Sequence, residues 1–401
     1  MKVVVAIDSF KGSMTSLEAG VSVKRGVEKA ENADAADVMV SPIADGGEGT
    51  VEALVTGMGG SLKKTVVSGP LGQPVEAEWG IIENNGEKTA VIEMAAAAGI
   101  ILLKKDELNP LETTSYGVGE LIREAVNDGC RRFIVGIGGS ATNDGGVGML
   151  QALGFDFMDK AGNQIARGAK GLKNLAVISA KNCLPELKEI SFRVACDVKN
   201  PLCGPNGCSA VYGPQKGASE EMIKDMDGWL SNYAAITQEA IADINAAIKR
   251  PAANASAEEM QADMNYPGCG AAGGMGFAFR SFLNAKLEPG IEIILEETGL
   301  EEQVKTADIV VTGEGRMDSQ TIMGKVPVGV AKIAKKYGKK VIAFCGCATE
   351  DAGLCNDYGI DAYFPILRGI VSAEEAMDRV NAMNNLEKTS EQVFRLLKKN
   401  I

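Results

Sequence analysis

The feature that most constrains this chain is a set of short, unbroken apolar runs at its two ends. VVVAID (3–8) and DVMVSPI (37–43) lie near the start, and DIVVTG (308–313), KKVIAFCG (339–346) and AYFPIL (362–367) near the end. Apolar runs of this length without alternation are what strands buried on both faces look like, and such strands belong to parallel sheets covered by helices. Amphipathic stretches at 16–29 and about 328–337 supply helical crossovers. The two ends therefore predict one sheet built from both termini.

Between them the pattern changes. Turn signals at Gly69-Pro70 and Asn84-Asn85-Gly86 bracket TVVS, VEAEWGIIE and KTAVIEM, the spelling of an antiparallel meander. A helix at about 115–127, a strand RFIVGI (132–137), a hairpin around 159–162 and a strand FRVACD (192–197) follow. Met222, Met226, Trp229, Leu230, Tyr233 and Ile236 then recur at helical spacing and read as a core stripe. The Ala-rich stretch 251–259 reads as a loop or the lead-in to a helix. The predicted fold is α/β: a discontinuous doubly wound (Rossmann-like) parallel-sheet domain, 1–62 plus 296–401, with an inserted mixed α/β domain, 63–295. The interdomain cleft is the expected place for a ligand.

Composition excludes several function classes. A formal charge of -12 over 401 residues disfavours nonspecific attraction to nucleic acid or anionic membranes, both of which need a clustered basic surface. No apolar run approaches the length of a membrane span, and the first residues lack a signal-peptide core. Nine cysteines, an odd number without Cys-x-x-Cys pairing, predict reduced thiols in a soluble cytoplasmic protein. There is no histidine, so no mechanism that relies on an imidazole base is available and carboxylates must do any acid–base work.

Five polar, mostly Gly-rich segments fall where strands should end, which is where α/β domains place ligands. Asp8-Ser9-Phe10-Lys11-Gly12-Ser13 combines a carboxylate, hydroxyls and a lysine suited to metal, phosphate or a substrate carboxylate, or serves as a helix cap. Asp45-Gly46-Gly47-Glu48-Gly49-Thr50 brings two carboxylates onto a tight turn, fit for Mg²⁺ or a diol. The run from Gly136 to Gly146, with Gly138, Gly139, Ser140, Thr142, Asn143 and Asp144, reads as a phosphate cradle in preference to a weak dinucleotide spelling. Asp197 stands at the end of its strand as a metal candidate, and Lys216 in GPQKG is placed to reach phosphate. Glu314, Arg316 and Asp318 alternate after DIVVT, setting a bidentate anion binder between carboxylates. There is neither a Gly-x4-Gly-Lys-Ser/Thr loop nor a His-Arg-Asp catalytic loop. PGCGAAGGMG (267–276) reads as a closely packed helix start.

Taken together, DSFKGS, PIADGGEGT, SGPLG, TSYGVGELI, GIGGSATNDGG, DVKNPL, GPQKGA, GCGAAGGMG and GEGRMDSQTIMGK, in this order over nearly the whole chain, resemble the bacterial type I glycerate kinase family. The resemblance implies ATP-dependent phosphorylation of D-glycerate, with the 2-phosphate favoured over the 3-phosphate. ATP and Mg²⁺ are the implied cofactors, and self-association is left open. Lys199 within DVKNPL departs from the family pattern and bears on Asp197. In the mechanism expected from these residues, the 138–146 loop holds nucleotide phosphates with Gly138, Gly139, Ser140, Thr142, Asn143 and Lys216, and Asp197 or Asp144 holds Mg²⁺. Lys11 and Arg316 hold the glycerate carboxylate or the moving phosphoryl group, Asp8, Ser9, Glu48 and Glu314 contact substrate, and Asp45 or Asp318 takes the hydroxyl proton. The rivals are a nicotinamide-dependent oxidoreductase of a small hydroxy acid and a non-catalytic small-acid sensor.

Overall fold

The structure is a computed structural model describing residues 1–31, 36–84, 86–248 and 260–398. The Ala-rich stretch 251–259 and Asn85 of the predicted turn lie outside the described residues. In chain order the strands are β1 (Lys2–Val5), β2 (Asp37–Val40), β3 (Ser61–Ser68), β4 (Pro74–Asn84), β5 (Glu87–Glu93), β6 (Arg132–Gly136), β7 (Asp156–Met158), β8 (Val177–Ser179), β9 (Ser191–Ala195), β10 (Lys286–Glu288), β11 (Ile309–Met317), β12 (Lys340–Ala348) and β13 (Ala362–Pro365). The chain divides into two compact units, Met1–Asp45 with Glu52–Gly59 and Pro289–Ile401, and Gly46–Val51 with Gly60–Glu288.

The first unit carries a sheet of order β13-β12-β11-β1-β2, every pair parallel. Val3, Val5, Ile309, Val311, Ile342 and Phe344 pack on one face against the helices Ser16–Glu31 and Arg379–Lys398 through Val23, Val27, Leu386 and Phe394. Val4, Val310 and Val341, which alternation turns to the other face, are equally buried, so both faces are covered. This is the physical reason the terminal runs are apolar throughout.

β11 departs from the sequence reading. The predicted strand ends at Gly313, but the observed one continues through Glu314 and Arg316, which pair with Cys345 and Cys347 of β12. Gly313 makes this possible: a Cβ there would lie 1.9 Å from the Phe344 carbonyl oxygen. Glycines that spell a turn are here the condition for two backbones to run close together.

The second unit carries a mixed sheet of order β10-β9-β6-β5-β4-β3. Its β3–β4–β5 part is the antiparallel meander and the rest is parallel. The helix Glu220–Ile248 buries Met226, Leu230 and Tyr233, with Trp229 and Ile236 packed partly against the same core. No helix among the described residues is long and apolar enough to cross a membrane.

Candidate active site

Parallel order gathers the strand-end loops of β1 and β11 at the middle of the first sheet, where a cavity of about 380 Å³ opens within the first unit. Its lining includes Asp8, Ser9, Lys11, Asp45, Glu314, Arg316 and Lys325, with an apolar wall of Phe10, Ile366, Leu367 and Met377. Six candidates from three separate sequence segments thus meet in one place, joined by Lys325.

Asp8 follows β1 and is only 4% exposed. Its Oδ1 accepts the Ser9 amide at 2.7 Å. Burial first, and then the neighbouring Asp45 carboxylate, push its pKa up to about 7. Asp45 is held differently, its Oδ2 lying 3.1 Å from Lys11 Nζ. Glu314 is 7% exposed, accepts a hydrogen bond from Thr321 Oγ1 at 2.6 Å and lies 3.5 Å from Lys325 Nζ. Burial nevertheless holds its carboxyl above the ordinary range. Arg316 is mostly exposed, with Nε 3.3 Å from Asp318 Oδ2. The site is a set of crowded carboxylates with cations at its rim.

Asp318 is displaced from the role expected of it. It is absent from the cavity lining, and its Oδ1 accepts the Gln320 amide at 2.9 Å, so it steadies its own turn and Arg316. Glu48 lies in the second unit, exposed and outside this cavity.

In the second unit the Gly-rich loop after β6 splits into an open tip and a closed base. Gly138 and Gly139 are exposed. The amides of Gly138, Gly139 and Ser140 have no hydrogen-bond partner among the described residues, a spare set of donors of the kind that receives anions. Ser140, Thr142, Asn143 and Asp144 are buried. Asn143 Nδ2 donates to Ser209 Oγ at 2.8 Å, and the segment 271–274 lies so close that a Cβ on Gly273 would be 2.1 Å from the Thr142 carbonyl oxygen. Thr142 and Asn143 therefore shape the loop from inside and do not face a nucleotide.

Two further expectations are corrected by burial. Asp144 is 0% exposed, and its carboxylate accepts from the Ser115 amide (2.8 Å) and hydroxyl (2.9 Å), the Gly146 amide (3.1 Å) and the Gly148 amide (3.3 Å). With its oxygens so engaged it is a brace and does not fit a metal. Lys216 is 1% exposed and donates to Ser140 Oγ at 2.8 Å and the Thr142 carbonyl at 2.6 Å, so it lies behind the loop and does not touch a ligand in front of it. Asp197 lies exposed just past β9.

Sequence reasoning passed over Glu93, the last residue of β5. It accepts the Val51 amide at 2.9 Å and so pins the Gly46–Val51 turn, while burial raises its pKa to about 7. Its signal was a lone acid closing an apolar strand. Ser13 was named only within its motif, yet it lines the cavity with its hydroxyl buried and unpartnered among the described residues.

The family model described as "Glycerate kinase family" matches residues 3–398. The chain belongs to the glycerate kinase family. The "Glycerate 2-kinase" of Escherichia coli (strain K12) is 47% identical over 377 residues, covering 94% of this chain and 93% of that protein. The "Glycerate kinase" of Bacillus subtilis (strain 168) is 43% identical over 398 residues, covering 99% and 98%. A crystal structure from Salmonella typhimurium LT2, described as a candidate glycerate kinase 2, superposes with a TM-score of 0.86 at 43% identity, covering 100% of this chain and 99% of that one. Membership of a glycerate kinase family makes the chain an enzyme and sets aside the oxidoreductase and sensor readings.

Proposed function

We propose that this chain transfers the γ-phosphoryl group of ATP to a hydroxyl of D-glycerate, with the 2-phosphate as the favoured product. The observation that carries this reading is the cavity of the first unit, where a buried carboxylate of raised pKa stands among three cationic side chains. The name of the Escherichia coli relative supports the 2-hydroxyl.

The proton acceptor in this reading is Asp8. A general base works best with its pKa near the operating pH, and Asp8 meets that condition while Asp45 is paired with Lys11 and Asp318 lies outside the cavity. Lys11, Lys325 and Arg316 hold the substrate carboxylate and the moving phosphoryl group; Ser9 and Glu314 orient the diol. In the second unit the amides of Gly138, Gly139 and Ser140 receive nucleotide phosphates. Asp197 would hold Mg²⁺ together with phosphate oxygens, and the ion would neutralise charge on the transferring group. All nine cysteines are free thiols, which supports a reducing, cytoplasmic setting.

The test is ADP release with D-glycerate, ATP and Mg²⁺, the product resolved by phosphorus NMR. Glycerate-dependent ADP with a 2-phosphate signal is expected. No turnover with D-glycerate under conditions where ATP binds would overturn the substrate assignment, and a 3-phosphate signal the regiochemistry.

A further inference from the structure

Lys216 combines features that a structural lysine does not need. It is 1% exposed, and its two hydrogen-bond acceptors, Ser140 Oγ and the Thr142 carbonyl, are both neutral. Among the described residues no carboxylate lies within ion-pair distance of it. Asp144 draws on it electrostatically, but the oxygens of Asp144 are bound by Ser115, Gly146 and Gly148. A buried ammonium without a counter-ion is expensive, and a neutral amide could make the same two hydrogen bonds. The charge is therefore unspent within the protein.

Its location says where it is spent. Both partners belong to the loop whose tip, Gly138 and Gly139, is exposed and whose amides at 138, 139 and 140 are unengaged among the described residues. The lysine is supplied from below by the turn Pro214–Lys216, beside the buried helix residues Cys208 and Ser209, and Ser209 in turn accepts from Asn143 of the same loop. The ammonium thus fixes the loop's shape and charges it from the rear.

We infer that Lys216 is a positioning residue whose buried ammonium acts as the built-in counter-charge for polyphosphate bound at the Gly138–Ser140 amides. The inference rests on the proposed nucleotide site and adds to it a side chain that never touches the nucleotide. It predicts an anion-binding loop that is poorly stabilised when empty and satisfied when filled. Burial holds the Lys216 pKa down at about 8. The titratable groups facing it are Asp144 and Cys208, the latter held up at about 11, so loss of its own proton is the event that weakens polyphosphate binding as pH rises through about 8.

The experiment measures binding of ATP and of inorganic tripolyphosphate by calorimetry, with steady-state kinetics and thermal melts, for the full chain carrying Lys216→Met, Lys216→Gln or Gly138→Val. Both lysine variants should weaken tripolyphosphate and raise KM for ATP on the order of tenfold or more, the worth of a unit charge at an effective dielectric of about 20. KM for D-glycerate should stay put, kcat should change less than KM for ATP, the ligand-free Tm should hold or rise, and the fall in ATP affinity above pH ~8 should vanish. Wild-type ATP affinity in Lys216→Gln would overturn the inference, since a neutral prop would then suffice, and Gln serves should Met fail to fold. If Gly138→Val weakens ATP but the lysine variants do not, the inference alone fails. If none of the three weakens ATP, the nucleotide reading of the loop fails with it.

Discussion

The strand-end loops of the two units look alike as sequence and behave oppositely as structure. Around β1 and β11 the polar side chains line a cavity and crowd one another: Asp8 beside Asp45, Glu314 beside Lys325. Around β6 they turn inward, Asp144 binding four donors and Lys216 two acceptors, and only glycine backbone is left outside. The first unit presents side-chain chemistry; the second uses side chains to mould a backbone surface. A residue's type told us it was polar, and burial told us which of these tasks it performs.

The sharpest way to break that contrast is Asp8→Asn. Loss of the proposed base should lower kcat by about 10² to 10⁴ with the fold intact. Because folding raises this carboxyl from 3.8 to about 7, the native state loses stability as pH climbs through that window and carries the full cost above it. The Asn variant should therefore melt higher than wild type above about pH 7. A lower Tm there would mean that the charged form is favoured by something not seen in the cavity.

Asp144→Asn should act on the other term of the comparison. It replaces an acceptor of four hydrogen bonds in a fully buried place, so a loss on the order of 2 kcal/mol in stability is expected by denaturant unfolding. Unchanged stability with a large rise in the Mg²⁺ requirement would return Asp144 to the metal. Arg316→Lys should cost about tenfold in kcat/KM for D-glycerate, since an ammonium cannot replace a planar two-pronged donor. The smallest effect is expected at Glu93→Gln, roughly 1 kcal/mol or less. Wild-type stability contributed through this group declines as pH rises from 4.5 to about 7, and the Gln variant should lack that decline in melts across the range.

Much of the architecture was written in the chain. VVVAID and DIVVTG read as strands covered on both faces because Val3, Val4, Val310 and Val311 are all fully buried. The meander was legible from its turns. The extension of β11 was hidden because Gly313 and Gly315 spell a turn, and only the closeness of the Phe344 backbone shows why glycine is needed in a strand there. That Asp8, Lys11, Glu314 and Arg316 would line one cavity was legible because polar residues at parallel strand ends converge whatever the details of packing. Asp144, Thr142, Asn143 and Lys216 lie buried behind the loop tip, a placement hidden in the sequence because a phosphate cradle and the scaffold behind it draw on the same residue types. Asp8 read as a substrate contact, with Asp45 or Asp318 as the base, because burial, which sets its pKa, has no one-dimensional signature.

Asp8 as the proton acceptor is tested by the pH dependence of kcat/KM for D-glycerate, from pH ~5 to ~9, in wild type and Asp8→Asn. The wild-type profile should rise with pH and level off above an apparent pKa near 7, and the variant should be slow at every pH and lack that limb. The same acidic limb retained in Asp8→Asn at near wild-type rates would contradict this assignment and move the base elsewhere in the cavity.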